Sequence, residues 1–566
     1  MTPRDSTVDA PAGMAWRRLA CEAALVAGLA LTLNLVGNGR VGLWDRDEPR
    51  YATCTREMRE RGDWIYPTFN DQPRFHKPVL IYWLMRAGYA VGGDNPFGAR
   101  LVSSIAGAMT CVVVLGLGRS MVGPRAGLLA ALALATAPIM IAESKLATTD
   151  ATLALFLVSA QACLWGLSRA DRPGLAAGFW ALMAGATLLK GPVGPALVSA
   201  SGLMSWWWGG PTACWRRLRW KRGLLGFLVL TLPWFVAVGL ASRGEFFRFA
   251  IGSQIVQRVT TGMEQHGAFP GYYPLVTLPT FYPWSAFLPV AAYAAWTRRR
   301  NAPEAGFLLG WIVGPLIVLE CCKTKLIHYF LPSIPACALL VAWILVEASR
   351  RNLAIDAYRF GRAGIKLLGA MGIGATAAFL VGPFFLPSEM RWPCLAIALT
   401  LGVGTYAARM MLARGETTAA THGLVATWAL TMGMVGGWLI PSAEPFRLSR
   451  VVGEKLGTLS AQTGVRPAIM TFQEPGIIYA LGRPAADIES PEDLREQVRR
   501  DGAVLLPLLP DEVAELRKDP ALDIEVAEQL VGFNANKGKT QALEFSIIRA
   551  RKVSAVAAAP EQSLVK

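Results

Sequence analysis

The sequence predicts a polytopic α-helical membrane protein of about 13 spans, with interfacial helices and a C-terminal soluble α/β domain. Three observations carry that prediction. Of 566 residues, 53% are hydrophobic and only 17% charged, against roughly 25% charged in soluble domains. Apolar runs of spanning length recur as far as residue 440 and then stop. The basic residues gather in alternate short loops between those runs, which is a topology signal. The formal net charge of +16 is therefore no argument for a nucleic-acid partner, because the charge is not laid along one stripe.

The candidate spans are 19–37, 100–118, 126–142, 151–167, 174–189, 192–208, 223–241, 276–296, 305–321, 326–347, 365–385, 392–411 and 421–440. With Arg17-Arg18 in the cytoplasm, alternation places Arg119 and Arg125, Arg169 and Arg172, the group from Arg216 to Arg222, Arg298-Arg299-Arg300, Arg350 and Arg351, and Arg409 and Arg414 on that same side. One phase explains them all, which favours an odd number of spans. The first run has no clear small-residue cleavage site after it and reads as an anchor. The nine cysteines form no CxxC, and the vicinal Cys321-Cys322 reads as packing.

Residues 1–440 thus form a transmembrane domain and 441–566 a separate α/β domain. The outer side receives the long loop 38–99, the turn 143–150, the loop 242–275 and the tail. In the first loop, Asp47 suits a helix N-cap, with Pro49 in the first turn and Gly62 past the end. A second, short apolar helix starts at Pro78 and stops near Gly92-Gly93. Both read as interfacial. In the tail, Ala468–Phe472, Ala503–Leu508 and Leu543–Ile548 have strand length. Ser490-Pro491-Glu492-Asp493 opens a helix that ends near Gly502, and Pro510–Leu516 forms another.

Charge at a membrane-helix mouth is costly unless it serves a purpose. Asp47 and Glu48 follow the first span directly; they fit helix capping, and they also fit a general base or a stabiliser of positive charge at a sugar carbon. Lys77, in Phe75-His76-Lys77-Pro78, precedes a helix N-terminus and suits a phosphate or a lipid headgroup. Asp150 opens a span, either as a cap or as a second acid. Lys190-Gly191-Pro192 is a tight turn with one cation. Arg258 and His266 are candidates for anion contact or metal ligation. Lys323, Lys325, His328 and Tyr329 crowd one helix mouth as a phosphate cradle.

These motifs resemble a known family. Asp47-Glu48-Pro49-Arg50-Tyr51, Gly62-Asp63-Trp64, His76-Lys77-Pro78, Asp150, Lys190-Gly191, Leu232-Pro233-Trp234, Gln257-Arg258 with His266, and Lys323-Thr324-Lys325 with Tyr329 run in an order similar to the GT-C polyprenyl-phosphate glycosyltransferases. The resemblance is greatest to the lipid A aminoarabinose transferases, relatives of the protein O-mannosyltransferases. It implies transfer of a sugar, 4-amino-4-deoxy-L-arabinose, from undecaprenyl phosphate to lipid A or a related envelope acceptor, at the periplasmic face of the bacterial inner membrane. It also implies Asp47 as principal acid, with Glu48 beside it and Asp150 as a second. Lys77, Arg258, Lys323, Lys325 and Tyr329 would hold the carrier phosphate. The chain departs from the family in carrying His76 where the aminoarabinose enzymes have glutamate. His76 with His266 forms a candidate zinc pair, and another sugar (mannose, galacturonic acid or hexosamine) passed to protein or glycan is the alternative. A transporter is the rival from another class; the lack of an inverted repeat and the ionisable cluster at one face argue against it.

Overall fold

The structure, a computed structural model, describes residues 12–45, 47–252, 268–534 and 538–551. Its contacts divide into two groups: residues 1–43 with 54–444, and residues 44–53 with 445–566.

The first group is a helical bundle. It opens with α1 (Ala12–Leu35), and the C-terminal part of α2 (Asp47–Glu60) belongs to it. A two-residue hairpin, β1 (Thr68–Phe69) with β2 (Gln72–Pro73), precedes α3 (Leu80–Gly92). There follow α4 (Pro96–Met121), α5 (Pro124–Ala135), α6 (Pro138–Ser144), α7 (Asp150–Arg169), α8 (Pro173–Lys190) and α9 (Val193–Trp207). Among the described residues nine helices are long and apolar enough to span a membrane; α5 and α6, bent by 59°, make a tenth if counted as one span. All thirteen apolar runs are helical. Two of those outside the count, α8 and α9, are joined by the short turn at Gly191-Pro192. The run 276–296 is divided into Tyr272–Thr280, Trp284–Phe287 and Leu288–Arg298, with Pro279 and Pro283 near the joints.

Small and polar side chains bring the helices together, as expected where lipid removes the hydrophobic drive. On the helix Pro303–Glu320, a side chain at Gly306, Gly310 or Gly314 would run into the backbone at Trp208, Ser205 or Ala200 respectively. Glycine at every fourth residue is what lets this helix lie against α9. Elsewhere Asn34 Nδ2 donates to the Ser104 carbonyl at 3.0 Å and Ser104 Oγ to the Ser144 carbonyl at 2.9 Å, tying α1, α4 and α6. Arg100, 1% exposed, donates to the carbonyls of Asn38, Val41 and Gly42 at 3.0, 2.8 and 2.8 Å. It thereby fixes the chain leaving the first span. Lys145 Nζ donates to the carbonyls of Leu33, Asn34 and Val36, so a cation closes the C-terminal end of α1. Burial, reinforced by the Arg100 charge, brings Lys145 down to about 8.

The first outer loop is ordered by its own polar pairs. Arg56 and Arg59 both reach Asp94, at 3.2 and 2.5 Å. Glu57 accepts from Thr68 Oγ1 and from the Asn70 N–H. Trp83 Nε1 donates to the Trp64 carbonyl at 2.8 Å, and the Arg86 guanidinium covers the Trp64 ring at 3.8 Å. The predicted helix boundaries fall within two residues of those observed.

The second group is an α/β unit. Its sheet has the order β4-β3-β5-β7-β6, where β3 is Arg466–Ile469, β4 Ala486–Asp487, β5 Ala503–Leu508, β6 Leu522–Asn534 and β7 Lys539–Ala550. The first three are parallel neighbours; β7 runs antiparallel to both β5 and β6. Helices Leu448–Thr463, Pro475–Leu481, Pro491–Asp501 and Pro510–Leu516 complete it. Ala468, Leu494, Val498, Val504, Leu506, Leu516 and Ile548 form the core. Ser490 caps Pro491–Asp501 by accepting from the Asp493 N–H, as its sequence predicts.

Candidate active site

The bend between α5 and α6 follows from Ala137, extended because Pro138 comes next. The redirected α6 ends at Ser144, and the turn after it delivers Asp150 to the start of α7. At the same, open end of the α7–α8 hairpin, Lys190 closes α8 and Gly191, at φ +67°, reverses the chain. The acid at one helix start therefore faces the cation at the neighbouring helix end. Lys190 Nζ lies 2.5 Å from Asp150 Oδ1, with both side chains about a tenth exposed.

A third element completes the cluster. The short helix Ile327–Ser333 presents His328 and Tyr329. His328 Nε2 is 3.8 Å from Asp150 Oδ2, and its Nδ1 is 3.7 Å from Glu143 Oε1. Lys190 sits over the Tyr329 ring at 4.9 Å. Thr149 Oγ1 donates to Asp150 Oδ2 at 3.3 Å. The Lys77 charge acts on Asp150 as well. Two carboxylates, two lysines, an imidazole and a phenol thus converge at the ends of α6, α7 and α8. Chemically, carboxylates so placed can accept hydrogen bonds from hydroxyls or an amine, and cations beside them can stabilise an anion.

The sequence-predicted residues divide as follows. Asp150, Tyr329, His328 and Lys77 join this cluster, while Glu143 enters it as an additional member and Lys190, read from sequence as a turn cation, proves to be the partner of Asp150. Lys323 is exposed. Lys325 is engaged elsewhere: its side chain is 2% exposed, pairs with Glu320 and donates to the Phe269 carbonyl at 3.1 Å. Glu320 in turn accepts from the N–H groups of Gly271 and Tyr273, so Lys325 holds the chain around 269–273. The half-buried ring of His76 lies 4.7 Å from that of Phe249. Arg258 and His266 lie outside the described residues, and with them the predicted zinc pair.

Asp47 and Glu48 belong to the second group of contacts. Asp47 is the first residue of α2 and is exposed; Glu48 is buried, and its Oε2 accepts the Trp44 N–H at 2.7 Å. The two neighbouring acids therefore differ, Glu48 fastened to backbone and Asp47 exposed.

Residues 76–236 match the family described as dolichyl-phosphate-mannose-protein mannosyltransferase. A curated relative from Pseudomonas aeruginosa (strain LESB58), an undecaprenyl phosphate-alpha-4-amino-4-deoxy-L-arabinose arabinosyl transferase, is 30% identical over 450 residues, 76% of each chain. The chain belongs to this arabinosyl transferase family. A second relative of the same name, from Serratia proteamaculans (strain 568), is 28% identical over 88% of this chain and 95% of its own. The crystal structure of ArnT from Cupriavidus metallidurans bound to undecaprenyl phosphate has the same fold: TM-score 0.73 and 22% identity, over 95% of this chain and 98% of that one. The protein is thus a multi-span glycosyltransferase with the GT-C architecture that its motifs suggest.

Proposed function

We propose that this transferase moves 4-amino-4-deoxy-L-arabinose from undecaprenyl phosphate to a phosphate of lipid A, or of a related envelope acceptor, at the periplasmic face of the inner membrane. The observation that carries the reading is the shared sequence with the arabinosyl transferase from P. aeruginosa, 30% identical over 76% of both chains. The buried Asp150–Lys190 pair with His328 and Tyr329, which brings acids and cations together, supports the reading.

In the reaction, the bond between the anomeric carbon and the carrier phosphate oxygen breaks, and the acceptor oxygen bonds to the same carbon from the opposite face. The configuration inverts, and the carrier leaves as its phosphate monoester. That leaving group is already a stable anion, so it needs cations and no general acid. Lys77 and Tyr329 hold it, with Arg258 and Lys323 as further cations; Lys325 keeps the neighbouring chain in place. An acceptor phosphate is ionised and needs orientation more than a base, so Asp47 and Asp150 position it and stabilise oxocarbenium character. The periplasmic orientation rests on the alternation of basic loops.

The test is transfer in proteoliposomes from undecaprenyl-phosphate-aminoarabinose to lipid A, followed by mass spectrometry. The added aminoarabinose mass should appear, and Asp47→Asn and Lys77→Ala should each abolish most of it. Transfer unchanged in both variants would refute the residue roles. A second reading, transfer of a different sugar, is favoured by His76 in place of the family glutamate; it wins if the aminoarabinose donor is inert while a hexose or uronic acid donor is used.

A further inference from the structure

We propose that the α/β tail is part of the catalytic apparatus, holding the loop that presents Asp47 through Asp45, a positioning residue. The proposal rests on the reading of Asp47 as catalytic acid. Residues 44–53 group with the tail, and the side chains show why. Asp45 accepts from Ser449 Oγ and from the Gly476 N–H, the latter at 2.6 Å, across 404 and 431 residues of chain. Arg447, itself buried, covers the Trp44 ring at 4.6 Å. Glu48 accepts the Trp44 N–H, so the anchorage passes directly into the first turn of α2, on both sides of Asp47.

Position 476 is fitted to this contact. A methyl group there would overlap the Asp45 carboxylate, so an alanine would displace that carboxylate and loosen its hold on the tail. The cleft lined by Asp45, Arg447, Ser449, Phe472, Glu474 and Asn534 has about 10 Å³ of space. That is room for about one water molecule, and both Asp45 oxygens are already engaged by Ser449 and Gly476. Burial raises its carboxyl above the ordinary value, against the pull of Ser449, Gly476, Arg447 and Arg50. A neutral side chain of the same shape should therefore be tolerated. In asparagine the amide oxygen still accepts from Gly476, and the amide nitrogen donates to Ser449 Oγ.

The experiment uses the full-length protein in proteoliposomes with Asp45→Ala, Asp45→Asn, Ser449→Ala, Gly476→Ala and Asp47→Asn. It reads kcat and KM for the polyprenyl-phosphate sugar, and hydrogen exchange of the peptide 44–53. Asp45→Ala and Gly476→Ala should lower kcat about 10–100-fold through misplacement of the acid. KM should stay within about twofold, and exchange in 44–53 should accelerate. Ser449→Ala should do the same more weakly. Asp45→Asn should keep the exchange protection and most of the activity. An Asp45→Asn enzyme as inactive as Asp45→Ala would overturn the proposal, because charge and not position would then matter. Unchanged exchange in Gly476→Ala would overturn it too. If Asp47→Asn stays active, the reading of Asp47 fails on its own, and the exchange data alone decide whether the tail holds the loop.

Discussion

Lys190→Met is the sharpest probe of the buried cluster. Lys190 and Asp150 are 2.5 Å apart with side chains 9% and 10% exposed. Two unit charges about 4 Å apart at an effective dielectric of about 20 interact by about 4 kcal/mol. Removing one member of a buried pair costs about 3–5 kcal/mol, since the other charge stays behind without its partner. His328, 3.8 Å from the far oxygen of Asp150, offers partial compensation, which places Lys190→Met near the lower end, about 3 kcal/mol. Asp150→Asn should cost a similar amount by stranding Lys190. The double variant buries no unpaired charge, so its cost should fall short of the sum of the singles by about 2–3 kcal/mol. Equilibrium unfolding of the detergent-solubilised protein, followed by circular dichroism, measures all four corners of the cycle. Transfer activity should be lost in the double variant as in each single. Single costs below about 1 kcal/mol, adding within about 0.5 kcal/mol, would refute the argument.

Other outcomes follow from the same structure. Lys77→Ala should raise KM for the polyprenyl-phosphate donor about 10–100-fold, the worth of a charge-assisted hydrogen bond, in a steady-state transfer assay. Arg100→Met strands three buried carbonyls that Arg100 satisfies; it should destabilise the bundle by about 3 kcal/mol or more, read as a lower unfolding midpoint. Asp45 has a raised carboxyl pKa in the folded chain, so the native state binds its proton more tightly than the unfolded one. Stability of the tail should then fall as pH rises from the ordinary aspartate value of 3.8 through the raised one. Asp45→Asn should flatten that slope in a pH series of hydrogen-exchange measurements.

The bundle could be read from composition because a spanning helix must be long and apolar wherever it lies. What composition could not see were the breaks. The run 276–296 is apolar throughout, yet Pro279 and Pro283 sit at the joints of three pieces. Ala137-Pro138 likewise carries the signal for the bend between α5 and α6. In the site, Asp150 and Tyr329 were identifiable as polar residues at span mouths. Lys190 read only as a turn cation, because its partner is forty residues away and the pairing depends on how α7 meets α8. Lys325 passed for a phosphate ligand; the acid that claims it, Glu320, stands five residues earlier at the end of an apolar helix, where a charge is itself a warning. In the tail β6 escaped notice although Leu522–Asn534 alternates in burial along nearly its whole length. Its inward residues are interleaved with acids, so no apolar run stands out.

The clasp at Asp45 also has a timetable. Ser449 follows Asp45 by 404 residues and Gly476 by 431. At a synthesis rate of about 5–20 residues per second, the ribosome needs roughly 20–80 s to make the chain between Asp45 and Ser449. Throughout that interval the acidic motif has already emerged while the partners that fasten it do not yet exist. A nascent or prematurely terminated chain would hold its lipid-facing helices and its buried Asp150–Lys190 pair but not a secured acid, so that competence arrives only with the last fifth of the polypeptide.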